Sequence, residues 1–213
     1  ISFKENASQT VKGNIQVTGS NSMIFRTGAS TNALTIDSSQ RVGIGTASPN
    51  FPLEIVKTGG GDCQVGITTY DNDATDNTQL VLRTADGTEA SPALVDDGDV
   101  LGDIRFAGHD GSNFKESAII RAAVDGDWST TSGDNPTKLE FYTQDNGSGS
   151  ELGTSNRVIR QDGKVGINEP SPDKKLHISS ATSTDGIMIE QTGTGASMVT
   201  FFADGAERGF MGV

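Results

Sequence analysis

Residues that could carry out nucleophilic chemistry are few in this chain of 213 residues and lie far apart in the sequence. His109 and His177 are its only two histidines. No Gly-x-Ser-x-Gly segment, the pattern that places a nucleophilic serine on a sharp turn, is found. Cys63 is the single cysteine, which excludes an intrachain disulfide and a cysteine-based metal site. We therefore expect no nucleophilic catalysis.

Carboxylates are the more abundant candidates. They cluster at Asp96, Asp97, Asp99 and Asp103, and further along at Asp110, Asp125 and Asp127. A polysaccharide-cleaving enzyme needs two carboxyl groups that face each other at roughly 5–10 Å. Aspartate beside glycine is also typical of solvated turns, and this is the interpretation that we favour here.

Two further motifs resemble binding loops but are incomplete. The segment 71–76, Asp-Asn-Asp-Ala-Thr-Asp, lacks the glycine at the sixth position and the later glutamate of a calcium loop. Gly43-x-Gly45 and Gly193-x-Gly195 lack the third glycine of a nucleotide fingerprint and are interpreted as turns. We expect no metal site and no cofactor, although calcium bound at a loop or a symmetry axis stays open as an alternative.

Trp128 is the candidate for contact with a sugar. It lies in the polar segment Gly126-Asp-Trp-Ser-Thr-Thr131, and an exposed tryptophan can stack on a sugar ring. The alternative, which we favour, is that Trp128 closes the base of its own module.

Charge and composition narrow the function classes. The net charge of −12 disfavours nucleic acids and anionic membrane surfaces as partners, because phosphate binding needs clustered Lys and Arg. No apolar stretch approaches the ~18 residues of a membrane span. Hydrophobic residues make up 33% and glycine contributes 27 residues, so one large core is not expected. The composition favours a thin, elongated structure that buries apolar strips against neighbouring chains.

An internal repeat organises the chain. Residues 40–55, QRVGIGTASPNFPLEI, align without a gap with residues 163–178, GKVGINEPSPDKKLHI. The similarity extends upstream, where Ile24 to Thr27 matches Glu140 to Thr143 and Ile36 matches Ile159. We therefore predict the end of one module in residues 1–55, a complete module in 56–178 and the start of a third in 179–213.

Within the repeated motif, apolar residues alternate with other residues as in extended strands, and Ser-Pro marks a tight turn between two strands. A glycine between two apolar residues leaves one face bare, so that another backbone can approach closely. Further strands are predicted at Leu80 to Leu82, Gly102 to Phe106, Ala118 to Val124, Lys138 to Tyr142 and Arg157 to Arg160. The apolar residues that we expect to form a core shared between copies are Val42, Ile44, Leu53, Ile55, Val165, Ile167, Leu176 and Ile178.

The motif Val42-Gly-Ile-Gly-Thr-Ala-Ser-Pro49, followed by Leu53-Glu-Ile55, resembles the VGIGT-x-SP motif of bacteriophage tail fibre and tailspike shafts. The second copy departs from it at Asn168-Glu-Pro170, where Gly-Thr is expected, so we do not expect an identical turn there. The resemblance implies an all-β, elongated homotrimeric fibre of repeated β-modules, built from intertwined strands, a β-prism or small β-sandwiches. It also implies a place on the virion, outside cells, next to other tail proteins.

We therefore expect a structural, non-enzymatic tail fibre segment that supports attachment to a host, with a host surface glycan as a further partner. The alternatives are a polysaccharide-degrading tailspike and a bacterial surface adhesin with the same repeat. Because the chain begins at Ile1 rather than Met, we expect it to be a piece of a longer protein.

Overall fold

The structure is a computed structural model that describes residues 2–4, 11–28, 31–70, 72, 75–130, 133–144, 156–180, 187, 198–203 and 206–212. In these residues all regular structure is β-strand. The strands are β1 Ser2–Lys4, β2 Val11–Val17, β3 Met23–Thr27, β4 Thr31–Ile36, β5 Val42–Ile44, β6 Leu53–Ile55, β7 Asp86–Thr88, β8 Ser91–Ala93, β9 Val100–His109, β10 Phe114–Val124, β11 Thr137–Thr143, β12 Arg157–Ile159, β13 Val165–Ile167, β14 Leu176–Ile178, β15 Met198–Ala203 and β16 Ala206–Gly212.

The chain divides into two compact units, Ile1–Gln79 and Leu80–Val213. The first unit contains one six-stranded sheet in the order β1-β2-β3-β4-β5-β6. The second unit contains a six-stranded sheet in the order β14-β13-β12-β11-β10-β9, together with the two-stranded pairs β7-β8 and β15-β16. We call the two larger sheets sheet 1 and sheet 2. Each is a consecutive series of neighbouring strands.

Sheets 1 and 2 have the same pairing pattern. Four successive antiparallel pairings are followed by one parallel pairing, β5 with β6 in sheet 1 and β13 with β14 in sheet 2. Ile36 lies opposite Val42 in sheet 1, and Ile159 lies opposite Val165 in sheet 2. The residues aligned by sequence therefore occupy equivalent places in two sheets of one topology.

Most predicted strands are present. Residues 102–106 lie in β9, 118–124 in β10, 138–142 in β11 and 157–159 in β12. The prediction of a strand at Leu80 to Leu82 is wrong for the single chain, because these residues form no strand. Apolar content and β-branching favour extended backbone, but a strand also needs a neighbour to pair with.

The tight turn predicted after Ile44 is also wrong. A tight turn makes the two strands that it joins antiparallel, whereas β5 and β6 are parallel. Residues 45–52 instead carry the chain back to the start of β5, where the Val42 N–H donates to Pro52 O at 2.8 Å. In sheet 2 the Val165 N–H donates to Lys175 O at 2.9 Å in the same way.

The connection crosses one face of its own sheet, and the central glycine of the motif makes room for it. A Cβ on Gly43 would lie 2.7 Å from Thr46 O, and one on Gly166 would lie 1.9 Å from Glu169 O. Both distances are shorter than real contacts, so any side chain here would displace the connection. The predicted close backbone approach is thus present, and the backbone that approaches belongs to the same chain.

The sequence departure at Asn168 leaves the backbone conformation unchanged. Gly45 has φ 73° and Asn168 has φ 54°, both in the left-handed region. Asparagine is among the non-glycine residues that adopt this region most readily. The Gly45 N–H donates to Ala33 O at 3.2 Å and the Asn168 N–H to Asn156 O at 2.8 Å, so the two connections begin with the same geometry.

A small buried cluster lies under each connection. In sheet 1 it contains Ile24, Thr35 and Pro49, with Ile24 opposite Thr35 and Thr35 opposite Gly43. In sheet 2 the equivalent of Thr35 is Val158, which is fully buried opposite Gly166. This is the face on which each sheet has its core.

Candidate interaction surface

The other face of sheet 1 is apolar across five neighbouring strands. Residues directly opposite each other in paired strands project to the same face, so the strand register assigns each side chain to a face. One row across the sheet is Val17, Met23, Ile36, Val42 and Leu53, and the second is Ile15, Phe25, Leu34, Ile44 and Ile55. We call these ten residues the first apolar face. None of them is charged.

The first apolar face is open to solvent within one copy of the chain. Val17 is 66% exposed, Leu53 60%, and Met23 and Ile44 40% each. The remaining six residues are half-buried. An apolar sheet face is normally covered by a second layer, because its burial supplies most of the stability of a sheet. In the first unit, the described residues leave this face without such a layer.

Sheet 2 repeats the arrangement. One row is Gly102, Ala122, Leu139, Ile159, Val165 and Leu176; the next is Ile104, Ile120, Phe141, Arg157, Ile167 and Ile178; and Phe106 and Ala118 form a shorter third row. We call these fourteen residues the second apolar face. Phe106 is 53% exposed, Leu176 54% and Ile104 47%. Arg157 is the only charged member.

Chain connectivity explains why these faces stay open. The connections 45–52 and 168–175 each lie over the glycine of their own motif, and Gly43 and Gly166 project to the face opposite Val42 and Val165. Pro49 and Pro172 are buried in these connections. The covering segments therefore serve the opposite face of each sheet.

The eight apolar residues predicted from the motif are divided equally between the two faces. Val42, Ile44, Leu53 and Ile55 belong to the first apolar face. The other four, Val165, Ile167, Leu176 and Ile178, belong to the second. Val42 and Ile44 project to the face opposite Gly43, and Val165 and Ile167 to the face opposite Gly166, as predicted. The burial of all eight residues between copies stays a prediction.

Sequence reasoning missed the larger part of both faces. It predicted the strands that contain Ile104, Leu139 and Ile159 but assigned no face to them. The missing members include Ile15, Val17, Met23, Phe25, Leu34, Ile104 and Phe106. Their signal is the same alternation of period two, but joining strands into one face requires the register between them.

The opposite face of sheet 2 carries a row of charges over three strands. Arg121 in β10 lies between Asp103 in β9 and Glu140 in β11. Arg121 Nε is 2.8 Å from Asp103 Oδ1, and its guanidinium lies 5.3 Å from the centre of the Tyr142 ring. Tyr142 donates its hydroxyl to Glu140 Oε2 at 2.9 Å. Cross-strand pairs of opposite charge support the register of a sheet.

These contacts shift the ionisation of the row. The hydrogen bond from Arg121, and after it that from Arg105, lowers the pKa of Asp103 below its ordinary value of 3.8. Burial, aided by the hydrogen bond to Glu140, raises the pKa of Tyr142. Asp103 is thus held in its ionised form by Arg121 and Arg105. The negative charges of the row are balanced by its cations, and the row stabilises sheet 2.

The aspartates singled out in the sequence have separate structural roles. Asp110 Oδ1 accepts the backbone N–H groups of Ser112 and Asn113 at 2.8 and 2.7 Å, as expected for a turn. Asp99 Oδ2 accepts the Asp96 N–H at 2.7 Å. Asp125, by contrast, is buried and lies 2.6 Å from Arg160 Nη2. Asp97 and Asp127 are exposed.

Trp128 is held by its own loop. Its indole N–H donates to Pro136 O at 3.0 Å, and the residue is half-buried. The Asp125 N–H also donates to Pro136 O at 3.0 Å, so both ends of the loop meet at this carbonyl. Contact of Trp128 with a glycan stays a prediction.

The remaining candidates lie apart or outside the described residues. His177 projects to the face opposite Leu176 and Ile178, with Nδ1 3.2 Å from Asp173 Oδ1, and His109 packs edge-on against Phe114. Cys63 is exposed, and its thiol is free. Within the part of the chain that the structure describes, no three His, Cys, Asp or Glu residues form a metal-binding group.

Asp71, Asp73 and Ala74 of the incomplete calcium loop and the segment Gly193-x-Gly195 lie outside the described residues. Among the residues that are described, no helix is long and apolar enough to span a membrane.

No protein-family model and no curated protein matches the chain. Among solved structures, it is similar to the carboxy-terminal domain of the bacteriophage T5 L-shaped tail fibre. The similarity covers 88% of this chain and 93% of that chain, with 14% sequence identity and a TM-score of 0.49.

Proposed function

We propose that this chain is a structural segment of a bacteriophage tail fibre, in which three identical copies associate through the first and second apolar faces. The observation that carries the proposal is that, among the described residues of a single copy, both faces leave large apolar side chains open to solvent. Exposed apolar patches of this extent are rare on monomeric proteins and are typical of interaction surfaces.

The exposure of individual apolar side chains supports association. Val17 is 66% exposed, Leu53 60%, Leu176 54% and Phe106 53%. Association of copies would remove from water this apolar surface, which the described residues of one copy leave open.

The charge distribution favours identical copies as the partners. Each copy carries a net charge of −12, so two copies repel each other wherever acidic groups meet. The first apolar face has no charged residue, and the second has only the cation Arg157. Depletion of charge is characteristic of the buried centre of an interface.

The number of copies and the place in a tail fibre on the virion are proposed from the sequence resemblance. That resemblance is carried by Val42 to Ile55 and by the second copy of the motif, Val165 to Ile178. In this proposal the segment is a spacer that supports host attachment, contacts other tail proteins and has no catalytic activity, metal or cofactor. Its location is the virion surface, and host glycans would be bound by the fibre that it supports.

Sedimentation of variants tests the association. Replacing Ile44 and Ile167 together by Asp places six carboxylates in the proposed interface of a trimer, and we expect a monomer. Leu53→Asp with Leu176→Asp is the second test, because these side chains are 60% and 54% exposed and their replacement leaves the fold of one copy intact. Gln16→Asp adds the same charge to sheet 1 on the opposite face and should keep the native oligomer.

Two results would contradict the proposal. One is a native chain that sediments as a monomer over a wide range of concentrations. The other is an oligomer of unchanged size in both double variants, which would place the interface elsewhere. Circular dichroism of each variant distinguishes dissociation from unfolding.

A further inference from the structure

A long segment that follows sheet 1 in the sequence is exposed to solvent at all of its described positions. Every described residue from Lys57 to Leu94 is exposed. The segment includes large apolar side chains: Val65 is 70% exposed, Ile67 55%, Tyr70 95%, Leu80 72% and Val81 61%. Soluble chains expose such residues singly, and a run of them indicates a surface that is buried in another state of the protein.

Two stretches of this segment have the composition of β-strands. Residues 63–70 read CQVGITTY, in which Val65 and Ile67 alternate with polar residues and glycine. Residues 80–84 read LVLRT, again rich in residues that favour strands. Neither stretch is part of a sheet in the single chain. Both stretches therefore favour a β-strand by their sequence, yet the single chain forms no strand in either of them.

The reason is a missing neighbour. Among the described residues, the backbone N–H and C=O groups of 64–70 and 80–84 make no hydrogen bond with another backbone group. The contacts that fix them are made by side chains, such as Thr69 Oγ1 with Thr78 Oγ1 at 2.8 Å and Thr84 Oγ1 with Leu101 O at 2.9 Å. An extended chain with free backbone groups is a template for pairing with another chain.

The second stretch already lies beside sheet 2. A Cβ on Gly102 would come within 2.9 Å of Leu82 Cβ, so Leu82 packs on the glycine of β9. β9 is an edge strand of sheet 2. Leu82 therefore lies against a member of the second apolar face, which is the surface proposed above to contact other copies.

The absence of acidic residues in both stretches fits a second copy of this chain as the partner. Residues 63–70 contain no charged residue and residues 80–84 contain only the cation Arg83, although charged residues make up 21% of the sequence. A copy with a net charge of −12 can approach only where acidic groups are absent. A basic partner would instead be expected at acidic surface.

We propose that residues 63–70 and 80–84 are β-strands that form only between copies, each pairing its backbone with a neighbouring copy of the chain. This inference rests on the proposed association of copies. It adds that the copies exchange backbone hydrogen bonds in this segment, beyond packing their apolar faces together.

Hydrogen exchange of the full-length chain tests the pairing. In the native oligomer, we expect amides of 64–70 and 80–84 to exchange at least roughly a hundredfold more slowly than in the monomeric variant Leu53→Asp with Leu176→Asp, whose substitutions lie outside both stretches. If the oligomer forms and these amides exchange at the rate of unprotected chain, the inference is overturned and the proposed function stands. If the native chain is a monomer, the proposed function is overturned as well. Protection that persists in the monomeric variant would place the pairing within one copy and would also overturn the inference.

A proline substitution separates backbone pairing from simple burial. Ile67→Pro removes one amide donor, whereas the matched control Ile67→Thr keeps the donor and the β-branched shape while losing a similar apolar contact. We expect the oligomer of Ile67→Pro to dissociate at a chain concentration at least about tenfold higher than that of Ile67→Thr. Equal dissociation of the two variants would show that no backbone bond is made there and would contradict the inference.

Discussion

At the residue scale, Thr35 is a polar residue in a place where sheet 2 has an apolar one. Its side chain is 1% exposed, and its hydroxyl has no hydrogen-bond partner among the described residues. Val158 occupies the equivalent place and is fully buried. A buried hydroxyl without a partner costs the free energy of its lost hydration, and valine has nearly the same shape.

We therefore predict that Thr35→Val raises the free energy of unfolding by about 1–3 kcal/mol. Denaturant unfolding of the two chains measures the difference. The reciprocal variant Val158→Thr should lower the stability by a similar amount. A loss of stability in Thr35→Val would show that its hydroxyl is bonded after all.

Gln40 is strained for its residue type. It adopts φ 64° in the turn between β4 and β5, where its N–H donates to Asp37 O at 3.0 Å. Gly163 holds the equivalent place in sheet 2, with φ 71° and a hydrogen bond from its N–H to Arg160 O at 2.9 Å. Left-handed backbone costs a non-glycine residue about 1–2 kcal/mol and glycine almost nothing.

Gln40→Gly should consequently raise the thermal midpoint, with a net gain of about 0.5–1 kcal/mol after the greater freedom of glycine in the unfolded chain is subtracted. Calorimetry is the measurement. Gln40→Ala retains a Cβ and should give no comparable gain. An increase of equal size in both variants would mean that the glutamine side chain, rather than the backbone, is unfavourable.

At the scale of elements, the charged row of sheet 2 links β9 to β10. Asp103 accepts from Arg121 Nε at 2.8 Å and lies 2.6 Å from Arg105 Nη2. Its side chain is only 9% exposed. The pKa of Asp103 is lower in the folded chain than its ordinary 3.8, so the ionised form is favoured by folding.

The lowered pKa of Asp103 makes the stability of the fold depend on pH. The stabilisation from Asp103 is fully present above about pH 4 and is lost as the pH falls through the lowered pKa of the folded state. We predict that the stability of the second unit declines below pH 4 and that Asp103→Asn is less stable at pH 6 but declines less steeply with acid. Denaturant unfolding between pH 2 and pH 6 measures both. Asp97→Asn, at an exposed position, should follow the native curve, and an unchanged slope in Asp103→Asn would contradict the assignment.

At the scale of the whole molecule, stability is expected to depend on chain concentration. If copies cover one another's apolar faces, association stabilises the folded state by mass action. We predict that the thermal midpoint of the native chain rises with chain concentration. The midpoint of the double variant Leu53→Asp with Leu176→Asp should be lower and should not change with concentration. Scanning calorimetry at several concentrations measures this. A concentration-independent midpoint in the native chain would argue for a self-sufficient monomer.

Local chemistry explains how much of this molecule could be predicted from its sequence. The alternation of Val42 and Ile44 about Gly43 predicts extended strands, and its recurrence at Val165 to Ile167 predicts equivalent elements. Period and turn residues act between near neighbours in the chain, so they can be read directly. The all-β character of the described residues confirms the prediction of extended strands.

Tertiary structure alone decided how the strands combine. The residues of β5 and β6 fit antiparallel and parallel pairing equally well, and only the path of residues 45–52 selects the parallel one. The same path covers the glycine side of the sheet and leaves the ten residues of the first apolar face open. Leu80 to Leu82 shows the same limit, because strand-forming residues become a strand only where another backbone supplies hydrogen bonds. Pairing is a long-range property, and residue types alone do not specify which backbone will be the neighbour.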